Sequence, residues 1–187
     1  MAHIGVLALQ GDYEKHARSL ERLGAQVSEV RTALELAAVD GLVIPGGEST
    51  TMLKLLDRES LFEPLREFGL RKPIFGTCAG AILLAQKVEN PAQASLGLVD
   101  ISVLRNGYGR QLDSRVAQIE GEGFGTLEAV FIRAPIIRKI GPGVHVLASY
   151  KGDPVLVEEG RHLVATFHPE LSADDRVHAY FLVKVTA

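Results

Sequence analysis

The stretch that most constrains the fold covers residues 72–87, where a short apolar run leads through a glycine-flanked turn into a second apolar segment. Positions 76–80 read Gly-Thr-Cys-Ala-Gly, the pattern of a nucleophile elbow, in which a sharp turn raises one side chain above the end of a sheet. Glycines at both flanks let the strand and the returning helix approach each other. The stretch therefore predicts strand, turn and helix. At the helix start the unpaired N–H groups and the helix dipole favour a thiolate at Cys78.

Strand and helix patterns alternate through the first half of the chain. The sequence predicts strands over residues 3–9, 26–31 and 41–45, and helical segments over residues 12–24, 34–39, 51–56 and 61–68. Short apolar strands that alternate with helices are typical of an α/β fold with a mostly parallel, doubly wound sheet flanked by helices. In such sheets functional residues gather at the carboxyl ends of the strands.

The second half contains strand-like runs with little helix between them. These runs cover residues 98–104, 116–119, 129–133, 144–150, 154–157 and 162–167, and a last helix follows residues 172–175. The pattern favours antiparallel strands added to the parallel sheet as extensions or as an edge. The chain has 187 residues, 47% of them hydrophobic, and shows no linker or repeat, so we expect a single domain over residues 1–187.

Composition narrows the classes of function. The chain has 20 basic and 23 acidic residues without a basic block, so nucleic acid and anionic membrane are poor candidate partners. A single cysteine cannot form an internal disulfide, the start lacks the features of a secretory signal, and no apolar run is long enough to span a bilayer. We therefore expect a cytoplasmic protein that acts on a small neutral or zwitterionic substrate.

A nucleophilic cysteine needs a base, and the base needs a third group that orients it. His168 follows an apolar run and precedes Pro169 and Glu170. Proline disfavours a helical conformation at His168, and residues two apart in an extended chain project to the same side, so Glu170 is placed to reach the imidazole. The other histidines lack such a neighbour and are interpreted as structural or solvated: His3, His16, His145, His162 and His178.

A second glycine loop follows the third predicted strand. There Gly46 and Gly47 are placed to present a backbone N–H to an oxyanion, with the N–H of Ala79 as the other donor. Taken singly, each feature has an ordinary structural interpretation: a buried inert thiol, a structural histidine and a tight turn. The cysteine elbow, the later His-Pro-Glu and the glycine loop together favour a catalytic site.

These motifs resemble those of the class I, triad-type glutamine amidotransferases, which have a flavodoxin-like fold. The cysteine elbow and His-Pro-Glu at 168–170 carry that resemblance. Within the class, the chain most resembles the glutaminase subunits of ribose-5-phosphate-dependent pyridoxal 5′-phosphate synthases, through the segments 5–11, 42–51, 105–114 and 131–135. Together the segments extend over nearly the whole chain. At 107–108 the chain has Gly-Tyr where the family pattern has Ser-Phe, a loop difference that leaves the implied activity standing.

The resemblance implies hydrolysis of L-glutamine to L-glutamate and ammonia through a glutamyl thioester. Its triad would be Cys78, His168 and Glu170, and its oxyanion hole the N–H groups of Gly47 and Ala79. The implied contacts with glutamine are Gly47, Glu48, Ser49, Arg105, Ile132 and Arg133.

The resemblance also implies a partner. The ammonia would pass to a synthase subunit of (β/α)₈-barrel fold in a hetero-oligomeric complex, which combines it with ribose 5-phosphate and glyceraldehyde 3-phosphate. Gln10, after the first strand, would lie near the oxyanion loop and respond to partner binding. We expect neither a cofactor nor a metal.

Two other functions remain open at this point. One is a cysteine hydrolase of related architecture, although the similar chaperone and protease proteins usually place a histidine directly after the elbow cysteine, where this chain has Ala79. The other is a non-catalytic regulatory subunit that keeps the fold for its interface. The presence of Cys78, His168 and Glu170 disfavours the second.

Overall fold

The computed structural model describes residues 1–106 and 115–187. Its strands are β1 His3–Leu7, β2 Gln26–Val30, β3 Gly41–Ile44, β4 Ile74–Thr77, β5 Ala85–Glu89, β6 Val99–Leu104, β7 Arg115–Gly121, β8 Gly125–Phe131, β9 Ile136–Ile140, β10 His145–Tyr150, β11 Asp153–Glu159 and β12 His162–Ala165. Its helices are α1 Tyr13–Arg22, α2 Ala33–Ala37, α3 Ser49–Arg58, α4 Phe62–Gly69, α5 Ala79–Leu84 and α6 Arg176–Thr186, with a 3-10 turn at Pro169–Leu171. In the described ranges no helix is long and apolar enough to cross a membrane. The predicted loop difference at 107–108 lies outside the described residues.

The main sheet has nine strands in the order β2-β1-β3-β4-β12-β11-β10-β7-β8. The strands from β2 to β12 pair in parallel, and the strands from β12 to β8 pair antiparallel. The predicted α/β fold, with a doubly wound parallel part and antiparallel additions from the second half, is confirmed. The added strands make the complete sheet evenly mixed.

Helices cover both faces of the parallel part. In β3 the side chains of Leu42 and Ile44 join one apolar cluster and Val43 joins the other, as expected when successive strand residues point to opposite faces. The first cluster contains residues of α2, α3, α4 and α5, and the second contains Leu20 of α1 and Phe181 of α6. Burial on both faces explains why the central parallel strands β1, β3 and β4 are largely apolar, whereas the edge strand β2 is not.

The sequence did not predict the small second sheet, which has the order β5-β6-β9. The helical pattern expected to reach residue 87 ends at Leu84, and β5 begins at Ala85. The run from Ala81 to Ala85 is entirely apolar and entirely buried, so it has no periodicity that could mark the change from helix to strand. In β9 only the first two residues are buried, which leaves too short an apolar run to signal a strand.

The strand order places a topological switch point between β1 and β3. Strand β1 has β2 on one side and β3 on the other, so the loops at their carboxyl ends diverge and leave a crevice. The loops after β3, β4 and β12 carry Gly47, Cys78 and His168, and Gln10 follows β1. Residues far apart in the chain therefore meet at one edge of the sheet.

Candidate active site

Cys78 stands on a strained turn between β4 and α5. Its backbone angles are φ 51° and ψ −103°, a conformation that residues other than glycine rarely adopt. A Cβ at Gly80 would collide with the carbonyl of Ile44, so the glycine permits the close approach that holds the turn. The backbone N–H of Cys78 also donates to Ala165 O at 2.9 Å. The elbow is thus fixed between two parallel strands, and its strain is compatible with a functional residue.

His168 and Glu170 form a buried pair directly after β12. His168 Nδ1 and Glu170 Oε1 are 2.6 Å apart, and the N–H of His168 donates to Val130 O at 2.8 Å. The prediction of an extended backbone for this pair is wrong, because Pro169 begins a 3-10 turn at Pro169–Leu171. A proline suits the first position of such a turn, where its missing N–H costs no hydrogen bond. The turn, rather than a strand pleat, brings the carboxylate to the imidazole.

The ring of His168 lies beside the thiol of Cys78. Gly46 packs against both, since a Cβ on it would be 2.5 Å from His168 Cε1 and 3.3 Å from Cys78 Cβ. Burial opposes a charged ring, but Cys78 and Glu170 outweigh it and raise the pKa of His168 to about 10. Within the described residues His168 Nε2 has no hydrogen-bond partner, so this nitrogen is available to the thiol or to a bound molecule.

The side chain of Gln10 supports the glycine loop after β3. Gly47 has φ +139°, and a Cβ on it would be 2.7 Å from Gln10 Nε2. The same Nε2 donates to Glu48 O at 2.7 Å, which fixes the peptide between Glu48 and Ser49. Ala79 is the first residue of α5 and is buried, so its N–H belongs to the first helical turn, which lacks intrahelical acceptors.

A cleft of about 640 Å³ opens over these residues. The predicted site residues that line it are Gly46, Gly47, Glu48, Ser49, Cys78, Arg105, Ile132, Arg133 and His168. Cys78 Sγ is 3.9 Å from Ile132 O, which places the segment after β8 against the thiol. Three predicted residues do not line the cleft, because Glu170 lies behind His168, Gln10 supports the loop and Ala79 contributes only its backbone.

Sequence reasoning missed several lining residues, namely Gly11, Asp12, Ile82 and Asn106. Ile82 is four residues after Cys78 in the predicted helix, a spacing that places both on one side. Gln93 was missed as well. Its Oε1 accepts a hydrogen bond from Ser49 Oγ at 3.1 Å, and no pattern in the loop that carries it signals this contact.

Glu48 caps helix α3 and carries its charge into the cleft. Its carboxylate accepts hydrogen bonds from Thr50 N at 3.1 Å and Thr51 N at 2.7 Å. Arg105 Nη2 lies 3.4 Å from Glu48 Oε1 and donates to Thr50 Oγ1 at 2.8 Å. Partial burial opposes ionisation, but the hydrogen bonds from Thr51 and Thr50 outweigh it and lower the pKa of Glu48 to about 2. The cleft therefore has a fixed negative charge beside a guanidinium.

Glu48→Ala should lower the free energy of unfolding at pH 7 by about 1 kcal/mol, because the substitution removes the helix cap. The capping carboxylate has its pKa lowered from 4.5 to about 2, so its contribution is complete above pH 4.5 and is lost as pH falls towards 2. Urea unfolding of both proteins at several pH values measures the difference in their free energies of unfolding. The control Glu67→Ala alters an exposed glutamate on α4 and should change stability little. A difference in the free energy of unfolding that stays constant between pH 7 and pH 3 would contradict the capping role.

The fold and the site together define a class of protein. A glycine-flanked cysteine on a strand-to-helix turn, with a buried histidine and glutamate from a later strand end, is the arrangement of an enzyme that forms a covalent intermediate on a thiol. A solved structure described as a glutamine amidotransferase superimposes with a TM-score of 0.92 at 44% identity, covering 98% of this chain and 99% of that one.

The sequence comparisons give the family. The SNO glutamine amidotransferase family matches residues 6–187. A pyridoxal 5′-phosphate synthase subunit PdxT from Solibacter usitatus is 61% identical over 99% of this chain and 100% of its own length. A second protein of that name, from Koribacter versatilis, is 57% identical over 97% of this chain and 95% of its own length. The chain belongs to the SNO glutamine amidotransferase family, which disfavours the alternative of a cysteine hydrolase of related architecture.

Proposed function

We propose that this chain is the glutaminase subunit of a pyridoxal 5′-phosphate synthase, in which Cys78, His168 and Glu170 hydrolyse L-glutamine to L-glutamate and ammonia. The observation that carries the proposal is the buried imidazole of His168, which is fixed by Glu170 on one nitrogen and has no hydrogen-bond partner among the described residues on the other, beside the thiol. We take residues 1–187 to act as one glutaminase domain. We place it in the cytoplasm, because a free nucleophilic thiol persists in a reducing compartment.

The first half of the reaction forms a thioester. The thiolate of Cys78 attacks the side-chain amide carbon of glutamine, and the carbonyl oxygen becomes an oxyanion held by the N–H groups of Gly47 and Ala79. His168 then transfers its Nε2 proton to the amide nitrogen, which leaves as ammonia. The raised pKa of His168 suits this step because the ring starts as an imidazolium.

The second half releases glutamate. His168, now neutral, removes a proton from a water molecule that attacks the thioester carbon, and Cys78 leaves as the thiolate. Glu170 keeps Nδ1 of His168 protonated throughout, since its Oε1 accepts from that nitrogen at 2.6 Å. The proton taken from water restores the imidazolium, so the site returns to its starting state.

The charged groups of the cleft suit the two ends of free glutamine. Glu48 stays ionised at neutral pH and is placed for the α-ammonium group, while the guanidinium groups of Arg105 and Arg133 suit the α-carboxylate. Ser49 and the backbone of Ile132 complete the contacts that we propose. A peptide glutamine lacks both terminal charges and should bind poorly.

The proposed product is ammonia for a synthase subunit, which we take to be a (β/α)₈ barrel in a hetero-oligomeric complex. Ammonia released into neutral water is mostly protonated and loses its nucleophilicity, so direct transfer to the partner favours the synthesis. Gln10 links the oxyanion loop to the loop after β1 through its 2.7 Å hydrogen bond to Glu48 O, and we propose that partner binding acts on this contact.

The proposed function is tested by measuring glutamate release from L-glutamine by the purified chain, alone and with its synthase subunit. We expect release that rises when the partner is added. The control adds the partner without this chain and should release no glutamate. Absence of glutamate in the complete mixture, with both proteins folded and associated, would contradict the proposal.

Gly47→Ala should reduce the rate of glutamate release about 100-fold, because the new Cβ meets Gln10 and displaces an oxyanion donor. The matched control is Gly152→Ala, at φ +83° with open space around the added Cβ. That control shares the backbone strain and should lose stability without losing rate. Equal rates for Gly47→Ala and wild type would remove Gly47 from the oxyanion hole.

A further inference from the structure

A chain of buried polar side chains continues behind Glu170, away from the cleft. Oε1 of Glu170 faces His168, and Oε2 lies 3.2 Å from His16 Nε2 of helix α1. His16 Nδ1 lies 2.8 Å from His178 Nε2 of helix α6. His16 and His178 are fully buried, and Phe75 packs edge-on against both rings.

We infer that His16 is a positioning residue for Glu170: its Nε2 lies 3.2 Å from both Thr77 Oγ1 and the second carboxylate oxygen, and His178 fixes the tautomer that places a proton on that nitrogen. This inference rests on the proposed function only for the role of the triad. The contacts that support it do not depend on the identity of the substrate.

Both histidines are neutral at physiological pH. Burial, followed by the neighbouring rings of His178 and His168, lowers the pKa of His16 well below 6.5. Burial lowers the pKa of His178 to about 4, with Asp175 opposing and Arg22 adding to the shift. A neutral imidazole has one N–H donor and one acceptor nitrogen, so each ring must take one of two tautomers.

Of the two pairs of tautomers that satisfy the observed hydrogen bonds, only one leaves no N–H group without an acceptor among the described residues. If His16 carried its proton on Nδ1, its Nε2 lone pair would face the carboxylate oxygen at 3.2 Å and repel it. His178 would then have to accept at Nε2 and bear its proton on Nδ1, where the described residues offer no partner. With the proton of each ring on Nε2, His178 donates to His16, and His16 donates to Thr77 Oγ1 with Glu170 Oε2 beside the N–H group. The nitrogen left without a partner is then an acceptor, which costs less than a stranded N–H.

Thr77 shares this donor. His16 Nε2 is 3.2 Å from Thr77 Oγ1, which takes the better-aligned hydrogen bond, while Glu170 Oε2 has no aligned partner within the described residues. The N–H dipole thus lies between a hydroxyl of β4 and the carboxylate. Because Thr77 directly precedes Cys78, His16 contacts both the elbow and the acid of the triad.

A direct test identifies the tautomers of His16 and His178. In ¹⁵N-histidine-labelled full-length protein, long-range ¹H–¹⁵N correlation spectra at pH 7 distinguish protonated from unprotonated ring nitrogens. We expect His16 and His178 each to carry one proton, on Nε2. A proton on Nδ1 of His16, or a doubly protonated His16, would overturn the inference.

Matched substitutions test the consequence. His16→Leu keeps the volume roughly and removes the donor, whereas His16→Gln keeps a donor near the Nε2 position. Without the contact from His16, the Glu170 carboxylate should turn away from Nδ1 of His168, so His16→Leu should lower the pKa of His168 from about 10 by about one unit, while His16→Gln retains the wild-type value. We expect kcat for glutamate release to fall about tenfold in His16→Leu with KM unchanged.

The outcomes separate positioning from packing. Equal His168 titration in wild type and His16→Leu, or equal losses in His16→Leu and His16→Gln, would overturn the inference. If His16→Leu does not fold, His178→Leu against His178→Gln makes the same comparison one step further from Glu170. The titration needs no glutamine turnover. If the pKa of His168 falls in His16→Leu but not in His16→Gln, while the wild-type chain releases no glutamate, the proposed function is rejected and this inference is retained.

Discussion

Cys78→Ala should abolish glutamate release in the presence of the synthase partner, with a loss on the order of 10⁶-fold, because the thiolate is the group that attacks the amide. The side chain is small and 7% exposed, and alanine fits the same space, so the fold and the affinity for the partner should persist. The measurement is the rate of glutamate formation in the complete mixture. A thermal melt shows that the variant is folded.

Cys78→Ser is the matched control for the same position. It keeps a polar nucleophile on the same elbow, but a hydroxyl is far less acidic than a thiol, so His168 cannot hold it as an anion. We expect the same loss of turnover with retained binding of L-glutamine. A Cys78→Ala variant that hydrolyses glutamine at the wild-type rate would overturn the mechanism.

His168→Asn should reduce turnover by about 10⁴-fold or more while the protein stays folded. The amide of asparagine occupies the place of Nδ1 and still donates to Glu170, but it has no group at the Nε2 position that can carry a proton.

The free energy of unfolding of the wild type should depend on pH through His168. The pKa of His168 is raised from 6.5 to about 10, so its contribution is complete below pH 6.5 and is lost as pH rises through 10.

The matched control is His145→Asn. His145 of β10 is half exposed, pairs with Glu122 and Glu158, and is not among the residues that line the cleft. This variant should release glutamate at the wild-type rate. If His168→Asn also keeps that rate, His168 is a structural residue and another base must be sought.

The sequence predicted the parallel part of the fold because buried strands and amphipathic helices have distinct periods. The segments that became β1, β3 and β4 are continuously apolar and end in glycine or polar loops, which fixes both their type and the edge where side chains emerge. Strand β5 escaped prediction because the apolar run before it is buried on every side and has no period. The exchange of helix for strand at Ala85 depends on tertiary packing.

Among the residues around the cleft, some positions follow from the strand order and others depend on packing between elements. Cys78 and His168 stand directly after predicted strands, so their meeting at one sheet edge follows from topology. His16 shows no such signal, because a histidine four residues before Leu20 on an apolar helix face reads as a core residue. Its contact with Glu170 arises only when α1 packs against the turn at Pro169–Leu171. Contacts between side chains on different elements require the folded structure.

The most direct test of the account labels the nucleophile with an L-glutamine analogue whose side-chain amide is replaced by an electrophilic diazoketone. After incubation with the chain and its synthase partner, the protein is digested and the modified residue is located by mass spectrometry. We predict one adduct, on Cys78, formed more slowly when L-glutamine is present and absent from Cys78→Ala. An adduct on another residue, or labelling of Cys78 that L-glutamine does not slow, would contradict the claim that Cys78 carries the glutamyl thioester.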